Sequence, residues 1–249
     1  MKNAMIQKFC VVLAVCLMGL VQTNVAQQTS TNVKAEIVFV DHLTAGLIEQ
    51  DVFVEHEDGS GKVYRVLPTE KKKYWDKQVY KSAEPQKHDP FNARTAGPFD
   101  KGEPMGMTLG EWLSAKGKAT YSCVDGWGKF EATFENLIPN STYTMWHFFM
   151  VKDQADPFIP MIELPMGDRD GSHSIFRTDE NGKGVMDITF DQCLQLGDTQ
   201  LATGIAIAYH SDGRTYGVLP GDFGTVSHVQ VFALLPDIEA PAKVVTGDR

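Results

Sequence analysis

Apolar residues recur at every second position along much of this chain, which is the period of a β-strand with one buried face. In segment 129–134, for example, Phe130, Ala132 and Phe134 alternate with charged or polar residues. Glycine, aspartate, asparagine and proline residues separate segments of this kind, as turns require. The pattern predicts a mainly β chain of antiparallel strands.

The order of the segments predicts one domain over residues 33–236. Residues 33–68 are expected to form an N-terminal β meander. Residues 69–105, rich in lysine and proline and without an apolar period, are expected to form an irregular strap over the core. Residues 106–236 are expected to form an antiparallel β-sandwich of immunoglobulin-like or jelly-roll-like form, and residues 237–249 a flexible tail.

One short helix is expected. Thr108 and Glu111 have the spacing of a capping box, and Gly117 is the expected end of the helix. Segment 142–151 is apolar on both faces, which is typical of a central strand that is covered on both sides.

Further strands are expected towards the C-terminus. Segments 174–178 and 185–190 are expected to pair as a hairpin, and segments 204–210 and 228–235 to form the last two strands.

The N-terminal residues 1–26 have the layout of a secretory signal peptide. Lys2 and Lys8 precede the apolar run 9–20, and Ala26 is the expected cleavage position. This run is shorter than the roughly 20 residues that a membrane-spanning helix needs, so we expect no membrane insertion. The alternative is a short buried helix. We expect export, to the periplasm or the medium.

Charge and cysteine content agree with that compartment. Removing the signal peptide takes the formal charge from −9 to −11, which makes nucleic acid a poor partner. Only Cys123 and Cys193 remain, and two cysteines in an exported chain most simply form a disulfide. A copper ligand is the alternative for either cysteine, but the next histidines, His147 and His210, are distant in sequence.

Familiar catalytic motifs are absent from the sequence. It has no phosphate-binding loop, no dinucleotide fingerprint, no serine-hydrolase elbow and no metalloprotease helix motif. The sequence therefore does not decide whether the protein is an enzyme.

The connection between the last two strands, residues 211–227, is long enough to predict a binding loop. If the two strands pair symmetrically about the middle of this loop, His210 lies opposite His228, with β-carbons about 5 Å apart.

Our leading hypothesis is that this loop binds a small ligand, a neutral or cationic molecule such as a carbohydrate. The candidate ligand-binding residues are Arg214, Tyr216 and Asp222 from the loop, and the stacking surfaces are Tyr216 and either Trp146 or Trp127.

Two alternatives use the histidines near the same loop. One is a zinc or copper site with His147, His173, His210 and His228 as ligands. The other is a hydrolytic enzyme in which His210 is the general base and Asp212 its partner. A third possibility is that the histidines only form hydrogen bonds with the loop backbone.

Overall fold

Strands make up most of the regular structure of this protein. The computed structural model describes residues 33–46, 52–86, 96–151, 162–167, 170–215, 221–222 and 224–237; the expected signal peptide lies outside them. The strands within these ranges are β1 (Val33–Asp41), β2 (Phe53–Glu55), β3 (Val63–Tyr64), β4 (Gln78–Ser82), β5 (Lys101–Thr108), β6 (Lys116–Val124), β7 (Trp127–Glu135), β8 (Thr142–Val151), β9 (Ile162–Pro165), β10 (Ile175–Arg177), β11 (Gly184–Phe190), β12 (Leu201–His210) and β13 (Ser227–Leu234). The helix α1 (Leu109–Leu113) and the 3₁₀ turn Pro68–Glu70 complete the elements. The expected mainly β class is confirmed.

The larger of two sheets has nine antiparallel strands. Its order is β10-β8-β12-β13-β1-β6-β7-β11, with β9 also paired to β8. The sheet curls, so that β10 and β11 at its two ends come into contact. Residues from distant strands, such as Ile37, Phe130, Tyr143 and Ile207, therefore share one apolar interior.

Strand burial follows the sequence pattern. Strands β1, β6, β7 and β11 alternate between buried and exposed residues, so one face of this part of the sheet is open to solvent. Strand β8 is buried on both faces over most of its length, with β12 on one side and β9 and β10 on the other. The prediction of a central strand at 142–151 is confirmed.

The smaller sheet has the order β3-β2-β4-β5. Together with α1 it encloses a second core, which includes Val54, Val79 and Trp112. This core meets the main interior at Ile138 and Tyr209, which pack against both. The small sheet therefore lies at the end of the curled sheet where β12 finishes.

Two expectations for the N-terminal half are wrong. Residues 33–68 are not a meander, because β1 belongs to the large sheet while β2 and β3 belong to the small one. Residues 69–105 are not uniformly irregular, since they contain β4 and the first part of β5. Strand β5 is an edge strand with Pro104 opposite Tyr80 and an irregular register. Edge strands tolerate proline. Because proline in a sequence usually argues against a strand, the sequence pattern did not indicate this one.

The capping box is confirmed. Thr108 Oγ1 accepts a hydrogen bond from Glu111 N at 3.3 Å, and Thr108 N donates to Glu111 Oε2 at 2.7 Å. The helix ends before Gly117, however, because β6 already begins at Lys116. Gly117 lies opposite Phe134, and a β-carbon at this position would overlap the Phe134 ring.

The expected hairpin between segments 174–178 and 185–190 is also wrong. Strand β10 pairs with β8, whereas β11 pairs with β7. The turn between β10 and β11 therefore connects the two ends of the curled sheet.

The expected disulfide joins Cys123 and Cys193, whose Cα atoms are 5.6 Å apart. It ties the segment after β11 to β6. In the same segment, Leu194 N donates a hydrogen bond to Tyr121 Oη at 2.7 Å. No helix within the described ranges has the length and hydropathy needed to cross a lipid bilayer.

Candidate functional site

A β-bulge interrupts the pairing of the last two strands. Ile207 lies opposite Val231, in the register that the sequence predicts, but the next pair is Ala208 with Val229. Gln230 is therefore an extra residue in β13. Side chains alternate between the two faces of a strand, so one extra residue changes the face on which the following side chains lie.

This bulge separates the two histidines of the predicted site. His210 pairs with Ser227, and His228 pairs with Tyr209. The prediction that His210 lies opposite His228 is therefore wrong. Because neighbouring residues of a strand point to opposite faces, the two imidazole rings lie on opposite faces of the sheet.

Both polar atoms of the Gln230 side chain form hydrogen bonds. Tyr143 Oη donates a hydrogen bond to Gln230 Oε1 at 2.6 Å, and Gln230 Nε2 donates to the carbonyl of Trp112 at 3.1 Å. Tyr143 Oη also accepts a hydrogen bond from Ile138 N at 2.9 Å. These bonds connect the bulge to α1 and to the junction of the two cores.

His210 lies in a buried polar group. It is 1% exposed, and its Nε2 atom lies 2.7 Å from Thr144 Oγ1, which accepts a hydrogen bond from Trp146 Nε1 at 2.7 Å. Burial lowers the pKa of His210 to about 4, against an opposing effect of the Asp212 charge, so the ring is neutral at pH 7. Trp146 is 2% exposed, and its indole therefore contacts protein rather than solvent.

The other predicted metal ligands lie apart from His210. His228 is buried on the Tyr209 face, with Nε2 3.0 Å from Ser211 Oγ. His147 Nε2 lies 3.1 Å from the carbonyl of Gln195, and burial lowers the pKa of His147 to about 4.

The histidines do not converge. His147 pairs with Ile205, whereas His228 pairs with Tyr209. Ile205 and Tyr209 are four residues apart along β12, which is about 13 Å at the usual strand rise. His173 is exposed in a turn. In the part of the chain that the structure describes, no group of three or more His, Cys, Asp or Glu side chains is arranged to hold a metal ion.

The loop residues of the predicted ligand site are only partly described. Asp212, Arg214 and Asp222 are exposed, and Asp212 Oδ1 accepts a hydrogen bond from Arg214 N at 3.0 Å. Tyr216 lies outside the described residues. The base of the loop is closed by a hydrogen bond from Ser211 N to the carbonyl of Val226 at 2.9 Å.

A groove of about 670 Å³ lies on the open face of β1, β6, β7 and β11. Glu36, Thr120, Glu131 and Asp187 form one row across these four strands, each paired with the next. The neighbouring row consists of Val38, Lys118, Thr133 and Val185. Both rows line the groove, which we call the outer-face groove.

The charges of this groove are partly paired. Lys129 Nζ lies 2.9 Å from Glu131 Oε1 and 4.0 Å from Asp187 Oδ1. The hydrogen bond to Glu131, together with the Asp187 and Glu131 charges, raises the pKa of Lys129 above its usual value. Glu36 forms no ion pair with any residue in the described ranges. Its carboxylate is available to a ligand.

A tryptophan lies on the same face of the sheet, beyond the residues that line this groove. Trp127 is 58% exposed, and it pairs with Val124, which is also exposed, across the β6–β7 hairpin. The two turn residues, Asp125 and Gly126, have φ values of 51° and 85°, as a type I′ turn requires. This tight turn fixes the position of the tryptophan relative to the sheet.

Our sequence reasoning missed the outer-face groove. The strand prediction for segment 129–134 rests on its buried positions, Phe130, Ala132 and Phe134. The signal was in the alternate positions, where Trp127 shares a face with Lys129, Glu131 and Thr133. A tryptophan on the polar side of an alternating strand indicates an exposed aromatic surface.

Comparison with known proteins gives no functional assignment. A scan against protein-family models found no match, and a search of curated proteins found no significant similarity.

Proposed function

We propose that this is an exported β protein that binds a small polar ligand in the outer-face groove. The observation that carries the proposal is the groove itself. It is a shallow groove, widely open to solvent, and its volume of about 670 Å³ compares with roughly 300–1,000 Å³ for small-molecule sites. Its position differs from the loop that the sequence indicated.

The chemistry of the lining favours a ligand with several hydroxyl groups. The Glu36 carboxylate accepts hydrogen bonds, the Lys118 ammonium group donates them, and the Thr120 and Thr133 hydroxyls do both. A hydroxyl-rich ligand exchanges its hydrogen bonds with water for bonds to these groups. The carbohydrate class expected from the sequence therefore fits the groove.

Rigidity favours the outer-face groove over the predicted loop site. The groove residues lie on paired strands, and sites on such elements are held more accurately than sites on loops. In the loop, Asp212 Oδ1 is already engaged by Arg214 N, and Trp146 is buried.

Export is part of the same proposal. It is supported by the signal-like residues 1–26 and by the disulfide between Cys123 and Cys193, since disulfides persist in oxidising compartments. The sandwich form also remains a proposal, supported by the way β1 pairs with β13 at one end and with β6 along the rest of its length.

The test is a thermal-shift screen of the mature protein with mono- and oligosaccharides, polyols and small amines, followed by calorimetry. We expect Glu36→Gln and Thr120→Ala to weaken binding of any hit at least tenfold, because the first replaces a charged acceptor oxygen with an amide NH2 and the second removes a hydroxyl group. Arg214→Ala, a loop variant, is the matched control and should bind normally. The reverse result, with loss only in Arg214→Ala, would place the site at the loop and overturn the proposal.

A further inference from the structure

We propose that the ligand is an oligosaccharide and that one of its sugar rings stacks on Trp127. This inference rests on the proposed function of the outer-face groove and names the class of ligand. It is drawn from the position of Trp127 relative to Glu131 and Asp187, and from the tight turn and the disulfide that hold the β6–β7 hairpin.

Trp127 presents a large apolar ring to water. Its 58% exposure is the highest among the exposed large apolar residues in the described ranges. Tryptophan supplies a flat apolar face together with an N–H donor, which suits ligands that are apolar on one side and polar at the edge. The faces of a sugar ring carry C–H groups and its rim carries hydroxyls, so a sugar ring matches this surface.

The tryptophan is held by rigid structure. The type I′ turn of Asp125 and Gly126 sets the strand ends, and Cys123, next to Val124, is fixed by the disulfide to Cys193. A binding surface that is already ordered loses less conformational entropy when a ligand binds. The hairpin tip is therefore suited to act as a preformed stacking platform.

Spacing indicates an extended ligand. Trp127 and Glu131 lie on the same face of β7, four residues apart, which is about 13 Å at the usual strand rise. A single monosaccharide cannot contact both residues. Ser122 and Lys129 form the pair between them, so polar groups are present along the whole path.

The groove also offers apolar contacts at the far end. Val38 and Val185 are exposed in the row that contains Lys118 and Thr133. In this row the two valines flank the two hydrogen-bonding side chains, so the row offers apolar contacts beside hydrogen-bonding groups, as the C–H and hydroxyl surfaces of a sugar chain require. Because Lys129 is shared between Glu131 and Asp187, these carboxylates are partly neutralised and oriented, which favours hydroxyl groups over multivalent cations.

The experiment titrates the mature, oxidised protein with neutral, amino and uronic sugars from monosaccharides to hexasaccharides. Tryptophan fluorescence and calorimetry report binding. We expect affinity to increase with chain length, and Trp127→Ala to weaken hexasaccharide binding at least tenfold. Trp75→Ala is the matched control, because Trp75 is also exposed, at 41%, but belongs to the small-sheet half of the chain. This variant should bind like the wild type.

The outcomes separate this inference from the proposed function. Binding of a non-sugar ligand that is lost in Glu36→Gln but unaffected by Trp127→Ala would overturn the oligosaccharide inference and keep the groove as the site. Equal affinity for a monosaccharide and a hexasaccharide would also overturn it. Absence of binding across both the sugar series and the thermal-shift screen would overturn both proposals.

Discussion

His210 and His228 lie on opposite faces of the hairpin formed by β12 and β13, because Gln230 adds a residue to β13. Each ring therefore has its own environment, with Thr144 beside His210 and Ser211 beside His228. A binuclear or shared metal site needs both rings on one face. The bulge thus removes the geometric basis of the metal hypothesis for this pair.

Replacing the bulged glutamine should destabilise the protein. Gln230→Leu leaves the Tyr143 hydroxyl and the Trp112 carbonyl without the partners they have now, and we expect a loss of about 2–3 kcal/mol in the free energy of unfolding. Urea denaturation measures this. Gln200→Leu, at an exposed position, is the control and should change stability by less than about 0.5 kcal/mol. Equal effects of the two substitutions would show that the bulge bonds contribute nothing.

Stability should fall as the pH is lowered from about 6.5 to about 4. The pKa values of His147 and His210 are lowered to about 4 by burial, so in this range the unfolded chain takes up protons that the folded chain does not. Each histidine therefore contributes stability that is complete above its unfolded pKa and is lost as the pH falls, up to about 3 kcal/mol.

The measurement is chemical denaturation of the wild type and of His210→Gln at several pH values. The variant should lose less stability between pH 6.5 and 4. His173→Gln is the control, because His173 is exposed, and it should follow the wild-type curve. Parallel curves for the wild type and His210→Gln would contradict this assignment.

Reduction of the disulfide should lower the melting temperature. The bond between Cys123 and Cys193 closes a loop with a sequence separation of 70, and a loop of this length is worth about 4 kcal/mol in the chain-entropy model. Calorimetry with and without a reductant measures the effect. The Cys123→Ala/Cys193→Ala double variant should melt like the reduced wild type and should not respond to the reductant.

The chain should be exported and cleaved. If residues 1–26 are a signal peptide, the mature protein begins at Gln27 and lacks Cys10 and Cys16. Intact mass and N-terminal sequencing of the protein from periplasm or medium test this. Retention of the full chain in the cytoplasm would contradict it.

Local sequence patterns predicted the elements that depend on local chemistry. The capping box at Thr108, the central strand β8 and the alternation of β6 and β7 depend on residue spacing within a short segment, and all are present. The partner of each strand depends on distant parts of the chain. For that reason β10 and β11 were expected to pair with each other, although the turn between them connects opposite ends of the sheet.

The candidate site was harder to predict, because it depends on register and exposure. The expected position of His228 assumed regular pairing, and no local signal in segment 228–235 marks Gln230 as a bulge. The outer-face groove is formed by residues from four strands that lie far apart in sequence, such as Glu36 and Asp187. Only the curled sheet brings them together.

The bonds made by Gln230 also have a consequence for the loop after β12. Hydrogen bonds of Gln230 with the buried Tyr143 hydroxyl and with the Trp112 carbonyl stabilise the register of β12 and β13. The register therefore does not depend on the length of the connection between these strands. An insertion at residues 212–214, the exposed start of this connection, should therefore leave the alignment of the sheet unchanged, which makes this position suitable for grafting a peptide or a tag.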